Sequence, residues 1–203
     1  MVLSDQAIKD ALHSGELVID PPPSEEQYQS SAVNIHLGDS FRIWDLSKFS
    51  PKGVEVQLNL AEQSFQDTAN AYTIPAPRQP DNSVLLPPFA RQPHVLLCLT
   101  RERIHLKKEA ALCARVEGRS SLARIGLVVH LTAPTIHAGF EGQITLEIVN
   151  HGPFYVKFVP NSTMICQFII ERLDRPARGE ASTSFQGQKT PIGGDHPPAA
   201  VST

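Results

Sequence analysis

Cysteine is scarce in this sequence, which has three cysteines among 203 residues. They lie far apart, at Cys98, Cys113 and Cys166, and no C-x-x-C pair occurs. This pattern argues against a disulfide framework and against a thiolate zinc site. The sequence also lacks the apolar start of a signal peptide and any run of about 20 apolar residues that would span a bilayer. We therefore expect a soluble protein of the reducing cytoplasm with no membrane partner.

Positive charge is not in excess, since 18 basic residues stand against 21 acidic ones and the net charge is −3. Such a chain has no large positive field to hold a nucleic-acid polymer by counterion release. The 12 glycines and 17 prolines stay well below the roughly 25–30% that marks a low-complexity chain. With 41% hydrophobic residues the chain can bury a core, and at about 100–200 residues per domain its length indicates one domain.

One helical pattern is followed by many strand patterns. Ser4 and Gly15 bracket an apolar stripe of helical spacing over residues 7–12, which predicts a short N-terminal helix. Apolar residues then alternate with polar ones at 33–37 and at 54–60, which is typical of half-buried strands. Further β-like runs lie at 84–86, 95–99, 112–116, 127–131, 144–149, 155–158 and 164–173. Because no long helical pattern separates these runs, the sequence predicts a mainly β sandwich or jelly roll.

Two stretches depart from the strand pattern. Residues 61–94 are rich in Pro, Gln, Asn and Asp, and we interpret them as a long, partly irregular insertion. From Asp174 onward Pro, Gly, Ser and Thr dominate, so this tail has no core of its own and is either disordered or folds over a ligand. The predicted organisation is a β domain over residues 1–173 and a flexible tail over residues 174–203, which is a candidate active-site lid.

The segment 117–126 is the most unusual in the chain. Ser120 and Ser121 follow a glycine and open a short stretch of helix formers, where hydroxyls and free N–H groups can converge on an anion. Arg119 and Arg124 add guanidinium groups, which suit phosphate oxygens. From the local pattern alone, the alternative is a capped surface turn with solvated arginines.

A single carboxylate is placed on the polar face of the strand that follows Gly142. Ile144 and Leu146 share the apolar face, which leaves Thr145 and Glu147 on the other. Glu147 is therefore either a general base with a raised pKa or a solvent-facing strand residue. The pattern by itself favours the second alternative.

The histidines do not form a metal-binding pattern. His130, His137 and His151 show no H-x-H or H-E-x-x-H spacing and have no paired carboxylate beside them. A protein metal site is therefore not expected.

Several of these segments together resemble one known family. They are R-S-S-L-A-R at 119–124, T-A at 132–133, G-F-E-G at 139–142, I-T-L-E at 144–147, S-A-V-N-I-H-L-G at 31–38 and F-Q-G-Q at 185–188. Their order and spacing resemble the deoxycytidine triphosphate (dCTP) deaminase branch of the deoxyuridine triphosphatase (dUTPase) superfamily. The resemblance covers most of the chain and is weakest over residues 45–93.

The resemblance implies a fold, an assembly and a reaction. The fold would be a distorted β-barrel or jelly roll, assembled as a homotrimer with active sites between neighbouring subunits. The reaction would be hydrolytic deamination of dCTP to dUTP and ammonia in pyrimidine deoxynucleotide synthesis, with Mg²⁺ bound through the triphosphate and dTTP as a candidate inhibitor. Zinc would not be needed, and the H-x-E and P-C-x-x-C segments of zinc nucleobase deaminases are absent from this sequence.

The resemblance also assigns roles to individual positions. The implied catalytic residues are Glu147, Ser120, Arg124 and Ala133, and the implied substrate-binding residues are Arg119, Ser121, Thr132, Phe140, Gln188 and Lys189. Glu147 would take a proton from the water that attacks C4 of cytosine, while Ser120 and Arg124 orient that water with help from the Ala133 backbone. Arg119, Ser121 and Gln188 would hold the triphosphate, with Lys189 as a further cation. Phe140 would pack on the deoxyribose.

Some positions depart from the family pattern. Asn34 and His137 each stand where the family usually has Asp, Ser184 stands where it has Lys, and Phe185 replaces Tyr. Two alternatives therefore stay open beside the deaminase: a dUTP diphosphatase or bifunctional enzyme, and a catalytically weak regulatory protein that binds nucleotides. A generic β-sandwich binding module would explain the strands but not the Arg-Ser-Ser segment.

Overall fold

The computed structural model describes residues 1–49, 55–179 and 185–193. The helices are α1 (Asp5–Ser14), α2 (Phe65–Tyr72) and α3 (Ser120–Ala123). The strands are β1 (Leu17–Asp20), β2 (Tyr28–Gln29), β3 (Ala32–Trp44), β4 (Thr73–Pro75), β5 (Val84–Leu86), β6 (Leu96–Leu106), β7 (Leu112–Gly118), β8 (Leu127–Val128), β9 (Thr135–Ile136), β10 (Glu141–Asn150), β11 (Val156–Phe158) and β12 (Met164–Arg172). Strands dominate, which confirms the mainly β fold class.

Helix α1 forms where its capping residues predict it. The Ser4 side chain accepts a hydrogen bond from the Ala7 amide at 3.3 Å, and Gly15 ends the helix in the left-handed conformation at φ 70°. The helix buries Ile8 and Ala11 against the sheet. The predicted N-terminal helix is thus confirmed.

One curled antiparallel sheet makes up most of the molecule. Its strand order is β8-β10-β6-β3-β12-β7-β9, with β1 on β6 and with β2 and β4 on β3, while β5 and β11 form a separate pair. Large apolar side chains fill the concave side; among the fully buried ones are Phe158, Phe168, Ile35, Leu37, Leu96, Leu99, Ile104, Leu106, Leu112 and Leu146. This curled half-barrel agrees with the expected distorted barrel or jelly roll.

Strands β3 and β6 approach each other most closely at Gly38. Their pairing shifts register between Leu37 and Phe41. A side-chain carbon on Gly38 would lie 2.8 Å from the carbonyl oxygen of Thr100 and 2.9 Å from that of Leu99. Glycine is needed here because two backbones meet where no Cβ fits.

Strand β3 differs from the expected half-buried strand, because both of its faces are buried over residues 32–38. One of its polar residues, His36, contacts a buried carboxylate. Glu102 is fully buried, and its Oε1 accepts a hydrogen bond from Arg101 at 2.8 Å, while Oε2 accepts one from the His36 amide, also at 2.8 Å. The Gln27 side chain donates to Oε1 as well, at 3.3 Å. Hydrogen bonds thus compensate for burial that the alternating pattern did not indicate.

Two strand predictions are wrong in extent. Residues 55–60 form no strand, and Leu58 and Leu60 are exposed, because no neighbouring strand pairs with this alternating segment; Val54 lies outside the described residues. The run at 127–131 forms strand only at its first two residues, which pair with the end of β10. The insertion contains a helix that the sequence analysis missed, α2, with Ser64 as its N-cap.

Within the described ranges, no helix is long and apolar enough to cross a membrane.

Candidate active site

Strand β10 sets the orientation of Glu147. It pairs with β6 so that Glu147 lies opposite Leu97 and Thr145 opposite Leu99. Ile144 and Leu146 point into the core and are almost fully buried. The predicted division of faces is therefore confirmed, but the face that carries Thr145 and Glu147 lines a cavity.

Burial raises the pKa of the Glu147 carboxyl above its ordinary value. The Leu131 amide opposes this shift, since it donates a long hydrogen bond of 3.5 Å to Glu147 Oε2, and the charge of His130 opposes it as well. Loss of hydration is the larger effect. A carboxyl in this state is a stronger base than an exposed glutamate once it is ionised.

The cavity beside Glu147 has a volume of about 470 Å³. Apolar residues from four strands line much of it; they are Leu97, Val116, Ile136, Ile144 and Leu146. Aromatic rings from three separate segments complete it: Phe65 from α2, Phe140 from the loop before β10, and Phe185 from the tail. A cavity of this size and character is typical of a site for a small organic ligand.

Three buried polar atoms on the cavity residues have no hydrogen-bond partner among the described residues. They are Thr145 Oγ1, Gln188 Oε1 and His130 Nδ1. A buried polar atom without a partner costs free energy, which a ligand that pairs with it recovers. The cavity thus has hydrogen-bonding capacity left for a polar ligand.

The tail is hydrogen-bonded to the segment that leads into β10. The Gln186 side chain accepts from the Glu141 amide at 2.8 Å and donates to the Gly139 carbonyl at 3.0 Å. The Gly187 amide donates to the Glu141 carbonyl at 2.8 Å, and the Gln188 side chain donates to the Gln143 carbonyl at 2.6 Å. These contacts place Gln188 in the cavity, where it is 3% exposed.

The structure brings together only some of the residues that the resemblance assigned to the site. Glu147, Ala133, Phe140 and Gln188 line the cavity. Arg119, Ser120, Ser121, Arg124, Thr132 and Lys189 are not among the lining residues.

Helix α3 and its two flanking residues account for four of the six residues that are missing from this cavity. Ser120 and Ser121 are exposed on the helix, and Arg124, which follows it, is exposed as well. Arg119 immediately precedes it, and its guanidinium donates to the Met164 carbonyl at 3.0 Å. Within one chain, therefore, residues 119–124 do not line the cavity that holds Glu147.

The sequence analysis missed several cavity residues. Phe65 lies in the insertion, where no motif marked it, and Phe185 was noted only as a substitution. Thr145 could have been identified from the strand pattern, because it lies two residues from Glu147 and on the same face. His130 was considered only as a metal ligand. The described residues contain no group of three His, Cys, Asp or Glu side chains that would hold a metal ion, and zinc independence remains a prediction.

Comparison with known proteins identifies the family. The sequence model of a family described as dCTP deaminase-like matches residues 2–173. The chain belongs to this family. The dCTP deaminase-like chain is 36% identical to a protein of Methanobrevibacter smithii named "dCTP deaminase, dUMP-forming", over 87% of this chain and 82% of that protein. It is 35% identical to a "dCTP deaminase" of Thermomicrobium roseum, over 94% of this chain and 91% of that protein.

A solved structure supports the fold of this dCTP deaminase-like chain. It is the 2'-deoxycytidine 5'-triphosphate deaminase of Agrobacterium tumefaciens, with a TM-score of 0.57 at 17% identity. The match covers 84% of this chain and 47% of that one, so this chain spans about half the length of that structure. At this identity the likeness concerns the fold alone.

Proposed function

We propose that this protein hydrolyses the 4-amino group of dCTP and releases dUTP and ammonia. The observation that carries the proposal is Glu147, a largely buried carboxyl with a raised pKa in a ligand-sized cavity, at the position of the family's I-T-L-E segment. C4 of cytosine is a poor electrophile, so a metal-free enzyme has to supply a desolvated base and a positioned water.

In the proposed reaction Glu147 removes a proton from water as the water oxygen bonds to C4. The resulting tetrahedral centre carries both a hydroxyl and the amino group. The electron pair of the C4=N3 double bond moves to N3, which takes the first proton from Glu147. Glu147 then moves the hydroxyl proton to the amino nitrogen, the C4–N bond breaks as the C4=O bond forms, and ammonia leaves. The exposed backbone of Ala133, which lies at the rim of the same cavity, would help to position the water.

Ser120 and Arg124 would reach this cavity from a neighbouring copy of the chain. Two observations support such an arrangement: both residues are exposed, and neither lines the cavity of its own chain. A closed homotrimer in which α3 of each subunit faces the Glu147 cavity of the next would complete three equivalent sites. Arg119 and Ser121, on the same element, would bind the triphosphate.

The substrate in this proposal is the Mg²⁺ complex of dCTP, because the cation screens the adjacent phosphate charges. Gln188 was expected to contact the triphosphate, but its amide nitrogen already donates to Gln143 and its free atom is an acceptor. This arrangement favours contact with an N–H or O–H group of the nucleotide over contact with a phosphate. Zinc chelation is expected to leave activity intact, whereas magnesium removal is expected to weaken nucleotide binding.

A second candidate is a dUMP-forming enzyme, since several relatives bear that name. Against it stands His137, which lines the cavity where the family usually has Asp. A short carboxylate that could activate water at the α-phosphate is therefore missing at this position. We expect dUTP as the product.

Separate assays of ammonia release from dCTP, dCDP, CTP and dUTP test the proposal, with nucleotide products resolved by chromatography. We expect dCTP to yield equal amounts of ammonia and dUTP. Ammonia accompanied by dUMP and pyrophosphate would establish the second candidate. Tight nucleotide binding without ammonia would instead identify a regulatory protein.

A further inference from the structure

Helix α2, in the insertion at residues 61–94, contacts the tail at the cavity. The rings of Phe65 and Phe185 lie 6.3 Å apart between centroids, at an interplanar angle of 54°. Both rings line the cavity that holds Glu147. A second contact lies further along, where a side-chain carbon on Gly193 would be 2.6 Å from Nε2 of Gln66. Helix α2 and the tail therefore pack together over more than one residue.

Helix α2 is itself fixed to the body of the molecule. Its last residue, Tyr72, accepts a hydrogen bond from the Asp45 amide at 2.8 Å and packs against Phe49 at 5.5 Å between ring centroids. Ala69 is fully buried beneath the helix. At the other end Ser64 caps the helix, since it accepts from the Asp67 amide at 3.1 Å. A capped helix that is anchored at its C-terminal end can act as a platform for a segment that is held less firmly.

The tail depends on that platform for its position. Its hydrogen bonds to Gly139, Glu141 and Gln143 fix one edge of the segment, but its only large apolar side chain before Pro191 is Phe185. Phe185 is 40% exposed and Phe65 is 41% exposed, so each ring buries part of its surface against the other. Loss of either ring would leave residues 185–188 of the tail held mainly by hydrogen bonds that water can replace.

We propose that Phe65 is a positioning residue which, through Phe185, holds the tail closed over the cavity and so keeps Gln188 at the substrate. This gives the insertion a role: it supplies the surface on which the lid closes. The consequence for the reaction rests on the proposed function, whereas the contact between α2 and the tail does not. The test is therefore built on two separate measurements.

The first measurement is tryptic cleavage after Lys189, which lies in the docked part of the tail. In the full-length protein, Phe65→Ala is expected to speed this cleavage by about 2- to 12-fold, the range that corresponds to the loss of one aromatic pair. Phe89→Ala is the matched control, because Phe89 lies in the same insertion, is 37% exposed and contacts His151 instead of the tail. It should leave the cleavage rate unchanged. Mg-dCTP should slow cleavage in the wild type and less so in Phe65→Ala.

The second measurement is a double-mutant cycle on the steady-state kinetics with dCTP. Phe65→Ala and Phe185→Ala should each raise KM by a similar factor, and the double variant should be no worse than either alone, because both remove one contact. Alanine is the better helix former, so Phe65→Ala should not unfold α2; circular dichroism checks this, and Phe65→Leu provides a second variant that keeps an apolar side chain.

Two results would overturn the inference. One is an unchanged cleavage rate after Lys189 in both Phe65 variants. The other is a double variant whose KM rises by the product of the two single-variant factors, which would show that the rings act independently. If the wild type releases no ammonia from dCTP, the proposed function fails, but the cleavage experiment still decides whether Phe65 holds the tail.

Discussion

At the residue scale, the role proposed for Glu147 comes with a cost in stability. Because its pKa is raised in the folded protein, the folded state binds this proton more tightly than the unfolded chain does. The carboxyl therefore costs no stability at a pH below its ordinary pKa, and the cost grows as the pH rises through the folded-state value. The rest of the structure therefore has to supply the stability that keeps this carboxyl buried.

Glu147→Gln is expected to lower turnover by roughly 10²–10⁴, the usual worth of a general base. Since the amide carries no charge to desolvate, the melting temperature at neutral pH should stay the same or rise. The turnover rate and the melting temperature, measured on the same preparation, test both expectations. Near-normal turnover with an unchanged pH profile would contradict the assignment.

Thr145 is a second polar residue of the cavity, and its hydroxyl has no partner among the described residues. Thr145→Val keeps the shape and removes a hydroxyl that has no partner, so the melting temperature should not fall. KM for dCTP should rise by about 2- to 12-fold, the worth of one hydrogen bond to the substrate. Thr145→Ser, which keeps the hydroxyl, is the control. A clear loss of thermal stability in the valine variant would instead show that the hydroxyl has a structural partner in the assembled protein.

At the element scale, the two arginines that flank α3 are predicted to differ in role, with Arg119 in substrate binding and Arg124 in the chemical step. Arg119→Ala should raise KM by roughly 10- to 150-fold, the range of one charge-assisted phosphate contact, with a smaller effect on kcat. Arg124→Ala should mainly lower kcat. Arg91, an exposed cation outside α3, provides the matched control substitution. If the two variants change KM and kcat in the same way, the proposed division of roles is wrong.

An element can be predicted from the sequence when the residues that determine it lie close together in the chain. Helix α1 was predicted in full because its caps, Ser4 and Gly15, directly flank the apolar stripe in the sequence. Strand β10 was predicted with its correct faces for the same reason. The segment 55–60 shows the opposite case, since alternation predicts a strand only where a partner strand exists to pair with it.

The cavity could be predicted only in part because it is assembled from distant elements. Glu147 was found through its motif, whereas Phe65 became a candidate only once α2 and the tail were seen to meet. The burial of His36 likewise depends on Glu102, 66 residues after it in the chain. Contacts at such separations leave no periodic signal in the sequence.

At the scale of the whole molecule, a site shared between copies predicts complementation. Glu147→Gln and Ser120→Ala subunits should each be nearly inactive alone. After unfolding and refolding together in equal amounts, about a quarter of wild-type activity should return, because every mixed closed trimer then contains one intact site. A mixture that stays inactive, although mass spectrometry shows mixed trimers, would place both residues in the same subunit's site.

The close approach at Gly38 has a consequence for how this protein tolerates change. Strand β6, which Gly38 touches, also carries Leu97 and Leu99, the partners of Glu147 and Thr145. A Cβ at Gly38 would therefore press on the strand that pairs with Glu147 and Thr145, so we expect substitutions at Gly38 to be poorly tolerated. Gly38→Ala is expected to reduce soluble yield and melting temperature together, whereas alanine at the neighbouring exposed Asp39 should be tolerated. If Gly38→Ala melts like the wild type, the sheet can open at this point.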